Sequence, residues 1–372
     1  MTHELLNKLR RWPEVEGENL FAHDAADRLM LDTVHAWPHT VSIVGDQYGA
    51  LSLGALSAGA THVRVHTDSL TARRAITANL QALAPQQVAQ LEFCALDTVA
   101  ADATLVLLRL PRGGDVLDEQ ASAIASAASS QAVVHAGGML KHMNRTMNQT
   151  LATYFSTLEV SLARQKARVL TASAPLPTAH SHSYPRSATH QVNGTAFTLT
   201  AGAATFGAQR LDPGTALLLE NLPDLSGHTR LLDLACGNGS IGVYAALTHP
   251  ALLVDASDHS ASAVASTGLS AQANHLSARI TAVQDDGLSR HPDASATLIT
   301  LNPPFHIGNT VHAGIALKLF DEAARVLAEG GELICVFNSH LRYRSELASR
   351  IGPTQQLARN STFTVTRSIR RR

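Results

Sequence analysis

Asn302-Pro303-Pro304-Phe305 is the stretch of this chain best equipped for chemistry on a planar nitrogen. It follows Thr297-Leu298-Ile299-Thr300-Leu301, an apolar run that reads as a buried strand. An amide, two prolines and an aromatic ring therefore meet at a strand's carboxyl end, where ligands bind in open α/β sheets. The Asn302 side-chain oxygen and the Pro303 carbonyl can each accept an N–H bond from an exocyclic amine. Proline fixes φ and holds the second acceptor outward. Phe305 offers a face on which a flat ring can stack. Taken alone, the tetrapeptide could also be a Pro-rich turn after a strand, the lesser reading.

A second constellation weighs against that plainer reading. Leu231 to Gly242 (Leu-Leu-Asp-Leu-Ala-Cys-Gly-Asn-Gly-Ser-Ile-Gly) reads as a strand, a glycine-rich turn and a helix start. Gly237 and Gly239 let the backbone turn tightly and approach a ligand. Asp233 stands near the strand end, able to accept from an ammonium group. The next strand, Leu252 to Asp258, ends in an acid about 20 residues past the glycines, where a carboxylate can take both hydroxyls of a ribose. Asp285-Asp286 follows a further strand, Ile280 to Gln284. Any of these acids could instead cap a helix, Asp258 above all, with Ser260 and a helical run behind it.

In that order, glycine turn, ribose acid, adenine-side acid and Asn-Pro-Pro-Phe resemble a class I S-adenosylmethionine-dependent methyltransferase. A nicotinamide Rossmann protein would show three spaced glycines and no such tetrapeptide. The resemblance implies S-adenosyl-L-methionine as cofactor. Asp233 would face the methionine ammonium, directly or through water, and Gly237 and Gly239 would pass beneath the methionine. Asp258 would take the ribose, and Asp286, which directly precedes Gly287-Leu288, the adenine amine. Ala235, where many class I enzymes have glycine, and Asn302 complete the cofactor set. Phe206, Gly207, Ala208 and Arg210 are expected either to close over the cofactor or, for Phe206, to pack.

The elements that must position these groups form two comparable halves. The chain has 372 residues, 45% of them apolar, enough for two cores. Each half alternates apolar runs with amphipathic helical segments, which implies parallel α/β sheets. Val41 to Leu51 matches Leu231 to Ile241 at an offset of 190, with Gly49 on Gly239, Gln47 on Gly237 and Ile43 on Asp233. Asp68 falls on Asp258, which favours Asp258 over Asp255 as the acid at the strand tip. Thr104 to Arg112 echoes Thr297 to Phe305, with Arg109 for Asn302 and Arg112 for Phe305. The fold class expected is α/β: two tandem Rossmann-like class I methyltransferase domains, the N-terminal one degenerate. The expected boundaries are 1–171 for the degenerate domain and RNA recognition, 172–193 for a Ser/Pro/His/Thr-rich linker and 194–372 for catalysis.

A degenerate half, a linker and a catalytic half ending its fourth strand in Asn-Pro-Pro-Phe-His resemble the bacterial ribosomal RNA guanine-N2 methyltransferases of the small and large subunits. The resemblance spans nearly the whole chain and is strongest at Leu211-Asp212-Pro213-Gly214-Thr215, at Leu232 to Gly242 and at Leu301 to His306. It implies methyl transfer to the exocyclic N2 of a guanine flipped out of ribosomal RNA. Asn302, Pro303, Pro304 and Phe305 would form the catalytic pocket and His306 its border. The length and the basic end Arg370-Arg371-Arg372 favour the 23S enzyme over the 16S one. Asn-Pro-Pro-aromatic also serves methylation of adenine in DNA or glutamine in protein, but those enzymes more often carry tyrosine and lack a degenerate first half. Gly268-Leu269-Ser270 departs from the asparagine-bearing helix often found at that point.

A net charge of −1 means that RNA contact must come from local patches. The candidates are Lys141, Arg145, Arg164, Lys166 and Arg168, with Arg342, Arg344, Arg367 and the terminal arginines behind them. Any one of them could simply be a solvated charge. Three scattered cysteines give no disulfide framework and suit a reducing cytoplasm. No zinc pattern is evident, and His180 and His182 read as linker residues, so no metal is expected. No apolar run spans a membrane and no signal peptide opens the chain. Ribosomal RNA, naked or in a subunit, is the expected partner. A monomer is expected because two similar domains already share one chain.

Overall fold

A computed structural model describes residues 2–14, 16–176, 184–304 and 311–371. It divides into two compact units, Met1–Ser183 and Tyr184–Arg372.

The first unit comprises α1 (Thr2–Leu6), α2 (Ala25–Thr33), β1 (Thr40–Val44), α3 (Ala50–Ser57), β2 (His62–His66), α4 (Leu70–Leu83), β3 (Leu91–Phe93), β4 (Leu105–Arg109), α5 (Gly114–Ala127), β5 (Val133–Met139), α6 (Arg145–Tyr154), β6 (Phe155–Val160) and β7 (Ala167–Pro175). Its sheet runs β3-β2-β1-β4-β5-β7-β6. The first five strands are parallel, and β7 lies antiparallel between β5 and β6. Side chains alternate across the sheet as strand geometry requires. Ile43, Val65 and Leu107 pack with Leu31, Leu53 and Ile76 on one face. Val44, Val106 and Leu108 pack with Leu117, Ile124 and Leu151 on the other.

The second unit opens with the hairpin β8 (Arg186–Val192) and β9 (Thr195–Ala201). Then come α7 (Pro213–Glu220), β10 (Arg230–Leu234), α8 (Ser240–Thr248), β11 (Leu253–Asp258), α9 (Ala261–Ala273), β12 (Ile280–Gln284), β13 (Ala296–Leu301), α10 (Val311–Val326), β14 (Leu327–Asn338), α11 (Arg344–Arg350), β15 (Thr354–Arg359) and β16 (Phe363–Ile369). The order β12-β11-β10-β13-β14-β16-β15 repeats that of the first unit strand for strand. β1 and β10 stand 190 residues apart at both ends. Gly49 and Gly239 each precede the helix after that strand, at φ +92° and +79°. The doubled α/β architecture expected from the offset is present.

Residues 172–193 contain more regular structure than a linker. β7 continues to Pro175 and β8 begins at Arg186, while 177–183, with His180 and His182, lie outside the described residues. β8 reads as linker in sequence because its outward face is all exposed Ser, Thr and Gln. Its partner β9 carries the apolar contribution, burying Phe197 and Leu199.

At the end of its fourth strand the first unit builds an ion triad. Asp24 caps α2 and Asp27 stands at its third position. Both carboxylates pair with the Arg109 guanidinium at the end of β4. The arginine that stands in the place of Asn302 therefore has its charge committed inside the unit, while Arg112 is exposed. Removing Arg109 would leave a partly buried carboxylate, Asp24, facing a buried one, Asp27. Arg109→Ala should lower stability by about 2–3 kcal/mol, somewhat under the ~3–5 kcal/mol of a fully buried pair. A urea titration showing no shift in midpoint would remove this triad from the unit's supports.

Candidate active site

β10 and β13 are neighbours at the point where the strand order of the second unit reverses, the place where open α/β sheets hold ligands. The turn after β10 is left-handed at three residues: Ala235 (φ +57°), Gly237 (+55°) and Gly239 (+79°). The two glycines are small for different reasons. A Cβ on Gly239 would lie 3.0 Å from Thr267 Cγ2 and 3.1 Å from its Cα, so glycine lets α8 start against α9. A Cβ on Gly237 would meet nothing within 4 Å, so the turn is open to a ligand there. Ala235 bears a Cβ in a conformation that costs roughly 1–2 kcal/mol for an L-residue.

Asp233 does not stand in that opening. Its side chain is wholly buried. Gly242 N–H donates to Oδ2 at 3.1 Å, and the Thr300 hydroxyl is bonded to Oδ1 at 2.9 Å. Both of its oxygens are already bonded within the fold. It braces the turn from beneath instead.

Asp258 is the last residue of β11 and reaches the turn from the side. Its Oδ2 accepts from Gly237 N–H at 3.0 Å and its Oδ1 from Ser260 N–H at 3.0 Å. Ser260 caps α9 by accepting from Ala263 N–H, so capping falls to the serine and not to Asp258. Asp255 points elsewhere, paired with Arg230. Of the next acid pair, Asp285 is buried and accepts from Asp286 N–H, Arg290 N–H and the Ser289 hydroxyl. Asp286 is partly exposed and pairs with Lys318 Nζ at 2.6 Å. The open turn, with a carboxylate at the next strand tip and another just past the following one, offers the acceptors that a methionine–ribose–adenine cofactor needs.

Several supports carry no sequence signal of their own. Asn238 Nδ2 donates to Ala208 O at 2.8 Å and Arg210 O at 3.0 Å, tying the loop before α7 to the glycine turn. In the same loop Thr205 is bonded to Ser262 and Ser266 of α9, and Phe206 stands 55% exposed. Phe206 therefore does not pack in the core. Gly268-Leu269-Ser270 lies within α9, and Asn274 at its end donates to Thr198 O of β9 at 2.7 Å.

At the end of β13 the Asn302 amide donates through Nδ2 to Asp212 Oδ2 at 3.1 Å and to Thr215 Oγ1 at 2.8 Å. Its Oδ1 is enclosed and meets no donor among the described residues. Pro303 is buried and Pro304 exposed. Phe305 and His306 lie outside the described residues.

The expected cations differ in how free they are. Lys141, Arg145 and Lys166 are exposed, and no carboxylate pairs with them among the described residues. Lys141 follows β5, and Lys166 precedes β7, whose Arg168 stands opposite Gly138 of β5. These side chains share the carboxyl edge of the first sheet. Arg164 is half committed to Asp32 at 3.0 Å, and Arg168 is partly buried. In the second unit Arg367 is paired with Glu332, which takes it out of the candidate set. The Arg344 guanidinium donates to Thr354 O and Arg370 to Arg350 O, while Arg342 is exposed.

Seven strands with a reversed last pair, a glycine turn, an acid at the next strand tip and Asn-Pro-Pro at the fourth define an S-adenosylmethionine-dependent methyltransferase of the α/β class. Residues 196–367 match the methyltransferase small domain family, and residues 2–176 match the RLMG N-terminal domain family. A ribosomal RNA large subunit methyltransferase G of Stutzerimonas stutzeri is 34% identical over 97% of this chain and 96% of its own. One of Streptomyces avermitilis is 31% identical over 98% and 97%. The chain belongs to the ribosomal RNA large subunit methyltransferase G family. The fold is shared with the T. thermophilus 16S rRNA N2 G1207 methyltransferase RsmC, solved in complex with AdoMet and guanosine, at a TM-score of 0.78 and 23% identity over 100% of both chains.

Burial pushes the Asp233 carboxyl up to about 7, against the opposing bonds from Thr300 and Gly242 N–H. An unfolded aspartate titrates near ~4. Between these values the folded state holds a proton that the unfolded state releases. Asp233's contribution is therefore fully present below about pH 4 and lost as pH rises through about 7. The stability difference between the parent chain and Asp233→Asn should shrink steadily between pH 4 and 8 in urea titrations. A constant difference across that range would show that Asp233 does not titrate abnormally.

Proposed function

We propose that this chain transfers a methyl group from S-adenosylmethionine to the exocyclic N2 of a specific guanine in 23S ribosomal RNA. The observation that carries this reading is Asn302, held so that an enclosed oxygen acceptor, without a donor among the described residues, stands at the end of the fourth strand. Leaving such an acceptor unpaired costs about 1–3 kcal/mol, which an entering amine N–H would relieve. The assignment to the large subunit rests on the relatives that match the chain over its length.

Bound S-adenosylmethionine supplies a methyl group on a sulfonium, already a strong electrophile, so the protein's task is positioning. Asp258 would accept from the ribose hydroxyls with the lone pairs left free by Gly237, Ser260 and His259. Asp286 would take the adenine amine, and Gly237 and Gly239 would lie beneath the methionine. Asn302 Oδ1 and the Pro303 carbonyl would accept the two amine hydrogens, drawing the nitrogen out of conjugation with its ring. Its lone pair would then form the N–C bond as the C–S bond breaks, with the sulfur keeping that pair. The extra amine proton leaves to water. Phe305 would stack on the base.

Domain roles accord with the same reading. The first unit would grip RNA backbone through Lys141, Arg145, Arg164, Lys166 and Arg168, and the second would catalyse. Burial first, then the charges of Arg112, Lys141 and Arg109, holds His142 below its ordinary pKa, which supports a concentration of positive charge at that edge. We place the enzyme in the cytoplasm, acting as a monomer. Among the described residues no helix is long and apolar enough to cross a membrane.

Asn302→Ala should lower kcat by about 10²–10³-fold, the range seen when one preorganised polar group is lost, with little change in cofactor Kd. Asp258→Ala should instead weaken cofactor binding. Full activity in Asn302→Ala would refute the pocket assignment. Labelled cofactor incubated with ribosomal RNA from cells lacking this protein should mark the large RNA as N2-methylguanine. Label confined to the small RNA would overturn the subunit choice, and none in either, with cofactor bound, would point to a DNA or protein acceptor.

A further inference from the structure

An amide side chain has two ends of nearly equal size, so its own shape does not decide which end faces a substrate. At Asn302 the neighbours decide. Asp212 Oδ2 can only accept, and it lies 3.1 Å from Nδ2. Thr215 Oγ1 lies 2.8 Å from the same nitrogen. Two acceptors take both hydrogens of Nδ2 and leave Oδ1 as the end available to a donor. Turning the amide over would set Oδ1 against a carboxylate. A carboxylate on Nδ2 also polarises the amide and makes Oδ1 a stronger acceptor.

These two residues are themselves fixed by the start of α7. Asp212 is its N-cap, and the same Oδ2 accepts from Thr215 N–H at 2.9 Å. Thr215 is buried, at 4% exposure. Gly214 between them has no room for a side chain, since a Cβ would come within 3.0 Å of both Asp212 Oδ2 and the Phe363 ring. The first unit repeats the arrangement with different chemistry. There the N-cap Asp24 and the third-position Asp27 of α2 hold Arg109. In both units the N-cap and the third residue of this helix set the group that ends the fourth strand. Two carboxylates hold a cation in the first; a carboxylate and a hydroxyl hold an amide in the second.

We propose that Asp212 and Thr215 are positioning residues for methyl transfer, which fix the Asn302 amide so that Oδ1 meets the target amine. The inference rests on the proposed role of Asn302 as amine acceptor. Thr215→Val removes one acceptor at nearly constant volume. Asp212→Ser removes the carboxylate while keeping a good N-cap. Each should lower kcat by about 10–100-fold, the scale of a misplaced reacting group. Cofactor Kd and RNA KM should stay within about threefold and Tm nearly constant, a split that general damage to the fold would not produce. Thr215→Ser should restore most of the rate. In an Asn302→Ala background, Thr215→Val should cost nothing more. Wild-type kcat in both single variants, with Asn302→Ala inactive, would overturn the positioning role and leave Asn302 in place. Should Thr215→Val fail to fold, Asp212→Ser and Thr215→Ser decide the question by the same readouts. An active Asn302→Ala would instead bring down the role of Asn302 itself.

Discussion

One buried carboxylate joins the two strand ends on which the site depends. Asp233 Oδ2 accepts from Gly242 N–H, in the first turn of α8, and Oδ1 is bonded to Thr300, two residues before Asn302. The cofactor turn and the amine corner are thus referred to a single group. The geometry tolerates little change. A Cβ on Gly242 would lie 3.3 Å from Asp233 Oδ2 and 3.0 Å from Val254 Cγ1. Burying a carboxylate is unfavourable, and the shift of Asp233 toward neutral pH expresses that penalty. What offsets it is precision: each oxygen has one directed partner, and both partners belong to elements that must meet the same ligands. The left-handed turn above gains from this brace, because its two glycines have no side chains with which to hold it.

In the first unit the brace is absent. Ile43 occupies the place of Asp233, and Asp46 inside the turn takes over the helix end. Asp46 accepts from Gly49 N–H, Ser52 N–H and the Ser52 hydroxyl. The helix start is as well satisfied as in the second unit, but by a side chain within the turn where the second unit leaves an opening above Gly237. The fourth-strand corner closes in the same way around Arg109. The sheet survives because its order depends on apolar residues alternating between two helix layers, and both units keep that pattern. Fold and pocket are separable: the pocket lies in a few polar residues at strand ends.

That separation explains what was legible in the sequence. The strands announce themselves by apolar runs, and the glycines of the turn by a conformation that few other residues adopt. The internal offset chose Asp258 over Asp255, and the structure gives a physical reason, since Asp255 is held by Arg230 away from the strand tip. Asp233 was legible as a residue but not as a direction, because its partner Thr300 lies 67 residues on. Asn238 had no readable role, since it serves a loop 28–30 residues earlier. The serines of α9 carry no apolar signal. They are explained by the hairpin and loop that they bond: Ser270 accepts from Thr200 N–H and Ser266 from Gly202 N–H. Asp212 and Thr215 stood inside a recognised motif, yet their work became visible only with Asn302 beside them.

Charge is distributed by the same logic. A chain with net charge −1 cannot draw RNA by its overall field, so the position of each unpaired cation matters. Arginines at strand ends and edges are neutralised within the fold, Arg109 by Asp24 and Asp27, Arg230 by Asp255 and Arg367 by Glu332. A paired guanidinium offers little to a phosphate, because binding would first have to break an existing bond. Among the described residues, the lysines at the carboxyl edge of the first sheet have no such bond to break. Lys141 and Lys166 are brought together there by Leu140 N–H donating to Lys166 O at 2.8 Å, a backbone bond independent of their charge. The repulsion between neighbouring cations is therefore borne by the strand pairing of β5 and β7, and the charges stay exposed where a polyanion can meet them.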